Sequence, residues 1–258
     1  GGMDPMYVPI LSVIVGVISI VSIYYVISKI YSQKAGEFAA VIYAVSRIIS
    51  STEREVVPTT PVFLWSIWLF YALNLILKGN KKGLIITAVL WGLIWHINLA
   101  LMFSIPLVLG VIIYKRSKFK ASDFVMPILV LAILSLPLII FEVRHQFGQT
   151  RALFSTVRRS TPSGNYLVVK AENVVIYAVR NANNIFWIKP ENVNSAILPL
   201  VFLSMLVYLV KKRAVFSSQL IIILSWWGVY LILFSINPLP ISEYYLNGLS
   251  ILCVDIMA

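Results

Sequence analysis

Apolar residues do not alternate along this chain. They come in long runs parted by short polar intervals, at 7–30, 36–50, 61–77, 83–97, 99–113, 121–141, 193–210, 216–236 and 244–258. Several runs approach the ~20 residues a helix needs to cross a hydrocarbon layer of ~30 Å. The pattern predicts an all-α, polytopic transmembrane helix bundle of about nine membrane helices. Run 36–50 is short and carries Glu37 and Arg47. The stretch 83–113 holds 31 residues without a charge. As one helix it would reach ~46 Å, too long for one upright crossing, so it reads as two helices turning near Asn98.

Charge supports that turn. The basic clusters are Lys29/Lys34, Lys78/Lys81/Lys82, Lys115/Arg116/Lys118/Lys120 and Lys211/Lys212/Arg213. Short loops rich in Lys and Arg stay in the cytoplasm. With a hairpin at 83–113 and a span at 36–50, all four clusters fall on one side. The opposite, outer side then carries 51–60, the long insertion 142–192 and 237–243. Within the insertion, Val174–Trp187 mixes aromatic and basic residues as an interfacial helix would. One transmembrane domain over 7–258 accounts for the pattern, and residues 1–6 are set aside as a remnant of cloning or of a truncated frame.

Composition changes little in this picture. The chain is 60% hydrophobic and 12% charged, with mean hydropathy +0.90, far from the roughly one-quarter charged of soluble domains. The single cysteine, Cys253, excludes an intramolecular disulfide and a thiolate metal cluster. The two histidines, His96 and His145, form no metal motif, and no divalent metal or other cofactor is indicated. The net charge of +11 sits mostly at membrane edges, which argues against nucleic acid as a partner.

Four polar constellations stand at predicted outer edges. Glu142-Val143-Arg144-His145 ends the run 121–141, placing carboxylate, guanidinium and imidazole together. Such a group would bind phosphate and handle a proton, or would simply be a solvated helix end with an Arg–Glu pair. Glu243-Tyr244-Tyr245 follows a Pro-rich loop and reads as a sugar or arginine contact, or as interfacial aromatics. His96 closes the run 83–97, as a functional ionisable group or as a neutral partner of the hairpin turn. Glu53-Arg54-Glu55 opens the first outer loop, as an acid/base or cation site or as a surface cluster.

The order of these pieces resembles bacterial membrane glycosyltransferases of the GT-C superfamily, in particular the protein-mannosyltransferase-like group of family 39. The resemblance rests on Ile27–Ser50, on Leu84–Leu107 with Gly92 and His96, on Leu136–Val157, and on Ser242–Leu246. It implies transfer of a sugar from a polyprenyl-phosphate donor to an unidentified acceptor, on the outer face of the bacterial inner membrane, as part of cell-envelope chemistry. The positions it carries over, as lipid-phosphate or acceptor contacts, are Arg54, His96, Arg144, His145, Glu243 and Tyr245. In that family the general base is an acidic residue in the loop after the first span. This chain starts where the family's second span would be, so the resemblance assigns no catalytic residue and implies a chain with little or no turnover. Turnover would point to Glu53 or Glu55 as base. A lipid-linked saccharide flippase or transporter would instead show charges inside spans and an inverted repeat, and a membrane scaffold would need neither.

Overall fold

The structure, a computed structural model, describes residues 7–55, 57–159, 164–185, 218–237 and 243–257. Every regular element among them is helical, as expected. The α-helices are α1 (Tyr7–Ile30), α2 (Gln33–Val45), α3 (Arg47–Arg54), α4 (Val62–Leu77), α5 (Lys82–Ile97), α6 (Ile105–Tyr114), α7 (Val125–Arg144), α8 (Gly148–Arg159), α9 (Gly164–Ile185), α10 (Ser218–Ile236) and α11 (Asn247–Met257). Short 3₁₀ turns occupy Leu99–Ser104 and Glu243–Leu246.

Helix α4 is the centre. Trp65, Ile67, Leu69, Phe70 and Leu73 are all buried, which requires partners on most of its faces. Two indoles tie it to its neighbours. Trp65 Nε1 donates to Leu90 O of α5 (2.7 Å), and Trp68 Nε1 donates to Ser22 Oγ of α1 (3.2 Å). Each bond satisfies a donor that would be costly in an apolar interior. Helices α1 and α2 form a tight hairpin closed at Gly36, where a Cβ would lie 2.7 Å from Tyr24 O. Small residues of this kind let helices approach when lipid supplies no hydrophobic drive between them. Helix α7 stands at the periphery against α5, with Gly92 of α5 receiving Leu134. It leaves Met126, Ile128, Leu129, Ile133, Leu136 and Ile140 exposed. A continuous apolar face of that length suits acyl chains and not water.

Asn98 breaks 83–113 as expected. Its backbone is extended (φ −161°, ψ 119°), and its side chain accepts from Ala100 N to start the next turn. The flanking loops meet, with Lys81 Nζ 2.6 Å from Asp123 Oδ1 and Gly79 against the Lys118 side chain. The start of α5 and the end of α6 therefore share one end of the bundle, the arrangement the hairpin requires.

Two expectations change. The run 36–50 is not one helix. Ser46 takes an extended conformation (ψ 122°), ending α2 after 13 residues and directing the chain into the separate helix α3. At ~1.5 Å per residue α2 spans only ~20 Å. Nor do the described residues establish about nine crossings. Three helices among them are long and apolar enough to cross a membrane (Pro9–Ile30, Ala121–Arg144 and Ser218–Ile236), beside the shorter apolar helices Val62–Leu77, Lys82–Ile97 and Leu99–Tyr114. The run 193–210 and the end of the anticipated interfacial helix (186–187) lie outside the described residues. The described part of that helix begins earlier, at Gly164, and packs into the bundle against α3, α10 and α11 through Val174, Ala178 and Ala182.

Candidate functional site

The break at Ser46 builds a polar recess. Helix α3 is strongly two-faced, with Ile49, Thr52 and Glu53 inward and Arg47, Ser51 and Arg54 outward. Its inner face closes over α1 and the end of α2, leaving a cleft of about 320 Å³. The wall from α1 is Pro9, Ser12, Val13, Gly16, Val17 and Ile20, one helical stripe; Tyr43, Glu53 and Arg54 are among the residues facing it. The cleft lies where α2 ends and α4 is about to begin, at the end of the bundle away from the Lys81–Asp123 pair.

Glu53 is only 8% exposed, and the Tyr43 hydroxyl donates to its Oε1 at 2.5 Å. Gly16 makes room for the carboxylate, since a Cβ there would lie 2.9 Å from Glu53 Oε2. Burial raises the Glu53 carboxyl above the usual carboxylate range, and hydrogen bonding from Tyr43 opposes part of that rise. Arg54, one residue on and exposed, stands in the same lining. The recess thus joins a proton-accepting carboxylate to a guanidinium suited to phosphate. Of the three charges at 53–55, Glu53 is therefore not part of a surface cluster, whereas Arg54 and Glu55 are exposed.

The other carried-over positions are distributed more widely. His96 is exposed on the last turn of α5, in an apolar groove of about 620 Å³ between α4 and α5 that Trp65, Trp68 and Leu93 also line. Arg144 and His145 end α7, and both are exposed. The His145 ring stacks on Phe141 (centroids 4.1 Å apart), with Nδ1 2.8 Å from Phe141 O. Glu142 does not pair with Arg144. Its Oε2 accepts from Thr150 N (3.1 Å) and Thr150 Oγ1 (2.7 Å), holding the first turn of α8. The reversal between α7 and α8 passes through two left-handed residues, Gln146 (φ 53°) and Phe147 (φ 59°), with Phe147 N bonded to Glu142 O (2.7 Å). Glu243 opens the turn Glu243–Leu246, and Tyr245 stacks parallel to Phe234 of α10 (6.3 Å, 6°). Helix α7 packs on α5, on α8 and on the turn before it, whereas the Glu243–Leu246 turn packs on α9 and α11. The two groups have no main packing partner in common.

The family model for dolichyl-phosphate-mannose-protein mannosyltransferases matches residues 2–143. The match takes in Glu53, Arg54 and His96, and stops before Arg144, His145, Glu243 and Tyr245. No curated protein and no solved structure matches the chain.

Proposed function

The chain belongs to the dolichyl-phosphate-mannose-protein mannosyltransferase family, and from that premise we propose that it moves a sugar from a polyprenyl-phosphate donor to an acceptor on the outer face of the bacterial inner membrane. The family match over more than half of the chain carries this reading. The cleft supports it, because such a transfer needs two things at a membrane edge. One is a cation to stabilise the phosphate as it leaves; the other is a carboxylate to take the acceptor's proton. Arg54 and Glu53 supply both groups within the matched region, where the sequence alone left the base unassigned.

In this reading Arg54 contacts the donor phosphate, and the prenyl chain stays in the bilayer. His96 stands at the rim of the α4–α5 groove as a second contact of the lipid phosphate. Arg144, His145, Glu243 and Tyr245 are contacts of donor or acceptor farther along the outer surface. The test of function is release of polyprenyl phosphate from a lipid-linked mannosyl donor by the purified chain in a bilayer.

Orientation has its own test. The Lys81–Asp123 pair joins two basic loops at one end of the bundle, and the excess of Lys and Arg there supports a cytoplasmic position for that end. Lys81→Cys and Lys118→Cys should both resist a membrane-impermeant thiol reagent applied to intact cells, and both should react after permeabilisation. Labelling of both in intact cells would place the Glu53 cleft on the cytoplasmic side.

A further inference from the structure

We propose that the two basic loops at the end of the bundle away from the Glu53 cleft, 78–82 and 115–124, form one binding site for an acidic phospholipid headgroup, filled best by a lipid with two phosphates such as cardiolipin. The inference is independent of the transferase reading above. It starts from an imbalance in the sequence. Between Glu55 and Glu142 the chain has one acidic residue, Asp123, and seven Lys and Arg, all of them in these two loops.

The fold brings the two loops into contact and commits the one carboxylate. Asp123 Oδ1 lies 2.6 Å from Lys81 Nζ, and Oδ2 accepts from Lys120 N at 2.9 Å. The Asp123 side chain is 8% exposed and that of Lys81 63%, so the carboxylate is spent as a fastener beneath a cation. Gly79, in the left-handed region (φ 75°), carries the Lys118 side chain, whose Cβ lies 3.3 Å from where a Gly79 Cβ would stand. Lys78 and Lys82 from one loop, and Arg116, Lys118 and Lys120 from the other, remain exposed on either side of the fastened pair.

Sorting of loops across a membrane needs only their charge. It does not require two loops to be locked together by their one acid. A headgroup with two phosphates does benefit, because it can reach cations of both loops at once, with Arg116 offering a planar fork. The surroundings favour a lipid over a soluble anion. Ile113, Tyr114, Val125 and Met126 are exposed next to the cations. Lys115 Nζ stands 4.7 Å from the Tyr114 ring centroid, so a cation and an amphipathic ring lie together, as at the headgroup level of a bilayer.

The test is titration of the purified full chain in neutral detergent micelles with cardiolipin, phosphatidylglycerol or phosphatidylcholine, with bound lipid read by native mass spectrometry. The parent should hold cardiolipin most tightly and phosphatidylcholine least. Arg116→Gln combined with Lys118→Gln should weaken cardiolipin about 25-fold, roughly 5-fold per cation at ~1 kcal/mol each. Lys34→Gln, in a basic loop outside the fastened pair, should change it little. Asp123→Asn is the decisive variant. It makes the patch more positive, so a diffuse field would bind acidic lipid more tightly. A site built by the fastener should instead lose its preference for cardiolipin over phosphatidylglycerol. Lys81→Gln breaks the same pair from its exposed side and should lose that preference too, which guards against a folding defect in Asp123→Asn. Tighter cardiolipin binding by Asp123→Asn, or equal losses for Lys34→Gln and Lys118→Gln, would overturn the proposal. A parent that holds phosphatidylcholine as firmly as cardiolipin would also overturn it and leave the patch to a soluble acidic partner.

Discussion

Replacing Gly36 by alanine should destabilise the bundle by about 2–3 kcal/mol, the upper part of the range for overpacking. The new Cβ would meet Ser28 and lie 2.7 Å from Tyr24 O and 3.0 Å from Ser28 N, and two of these obstacles are backbone that no rotamer change can move. The hairpin of α1 and α2 must then open, which also shifts Tyr43 and the wall of the cleft. Gly110→Ala is the control, because nothing lies within 4 Å of a Cβ there. It should be neutral or gain up to about 1 kcal/mol from helix propensity. Reversible unfolding in mixed micelles, followed by circular dichroism, reads both. Equal stability of the two variants would show that α1 and α2 do not make this close contact.

The second large effect is on donor affinity. A charge-assisted hydrogen bond between Arg54 and the donor phosphate contributes about 1.5–3 kcal/mol. Arg54→Ala should then weaken binding of a polyprenyl-phosphate sugar roughly 10- to 150-fold at ~1.4 kcal/mol per decade. Arg54→Lys should restore only part, since a point charge replaces a planar fork. Arg47→Ala, at the other end of α3 and outside the cleft lining, should change affinity little. Arg144→Ala should fall between them, as expected of a contact farther out. Equal small losses for Arg47 and Arg54 would mean a diffuse basic surface with no defined phosphate contact.

The long elements were legible because an apolar run is a direct record of a helix that meets lipid or other helices. The run 7–30 became α1 residue for residue, and the charge-free 83–113 broke at Asn98, whose side chain starts the next turn. The break at Ser46 was not legible. Serine tolerates a helix interior well enough, and nothing local to it announces the extended ψ. Nor could three consecutive charges declare which one is buried. That is set by the phase and the bounds of an eight-residue helix, and the bounds depend on the break at Ser46. The Tyr43–Glu53 bond crosses the break, and Gly16 sits in an uninterrupted apolar run, where nothing marks it as clearance for a carboxylate. Glu142 misled for a related reason: its partner, Thr150, comes only after a left-handed reversal at Gln146 and Phe147.

The most direct test is whether the chain transfers a sugar from a lipid phosphate. The purified protein should be placed in bilayer discs with a polyprenyl-phosphate mannosyl donor and a panel of hydroxyl acceptors, and both products followed by mass spectrometry. Polyprenyl phosphate should appear in step with a mannosylated acceptor, with Glu53→Gln and Arg54→Ala both slowing it. Donor bound but left intact with every acceptor, at the rate of protein-free discs, would contradict it.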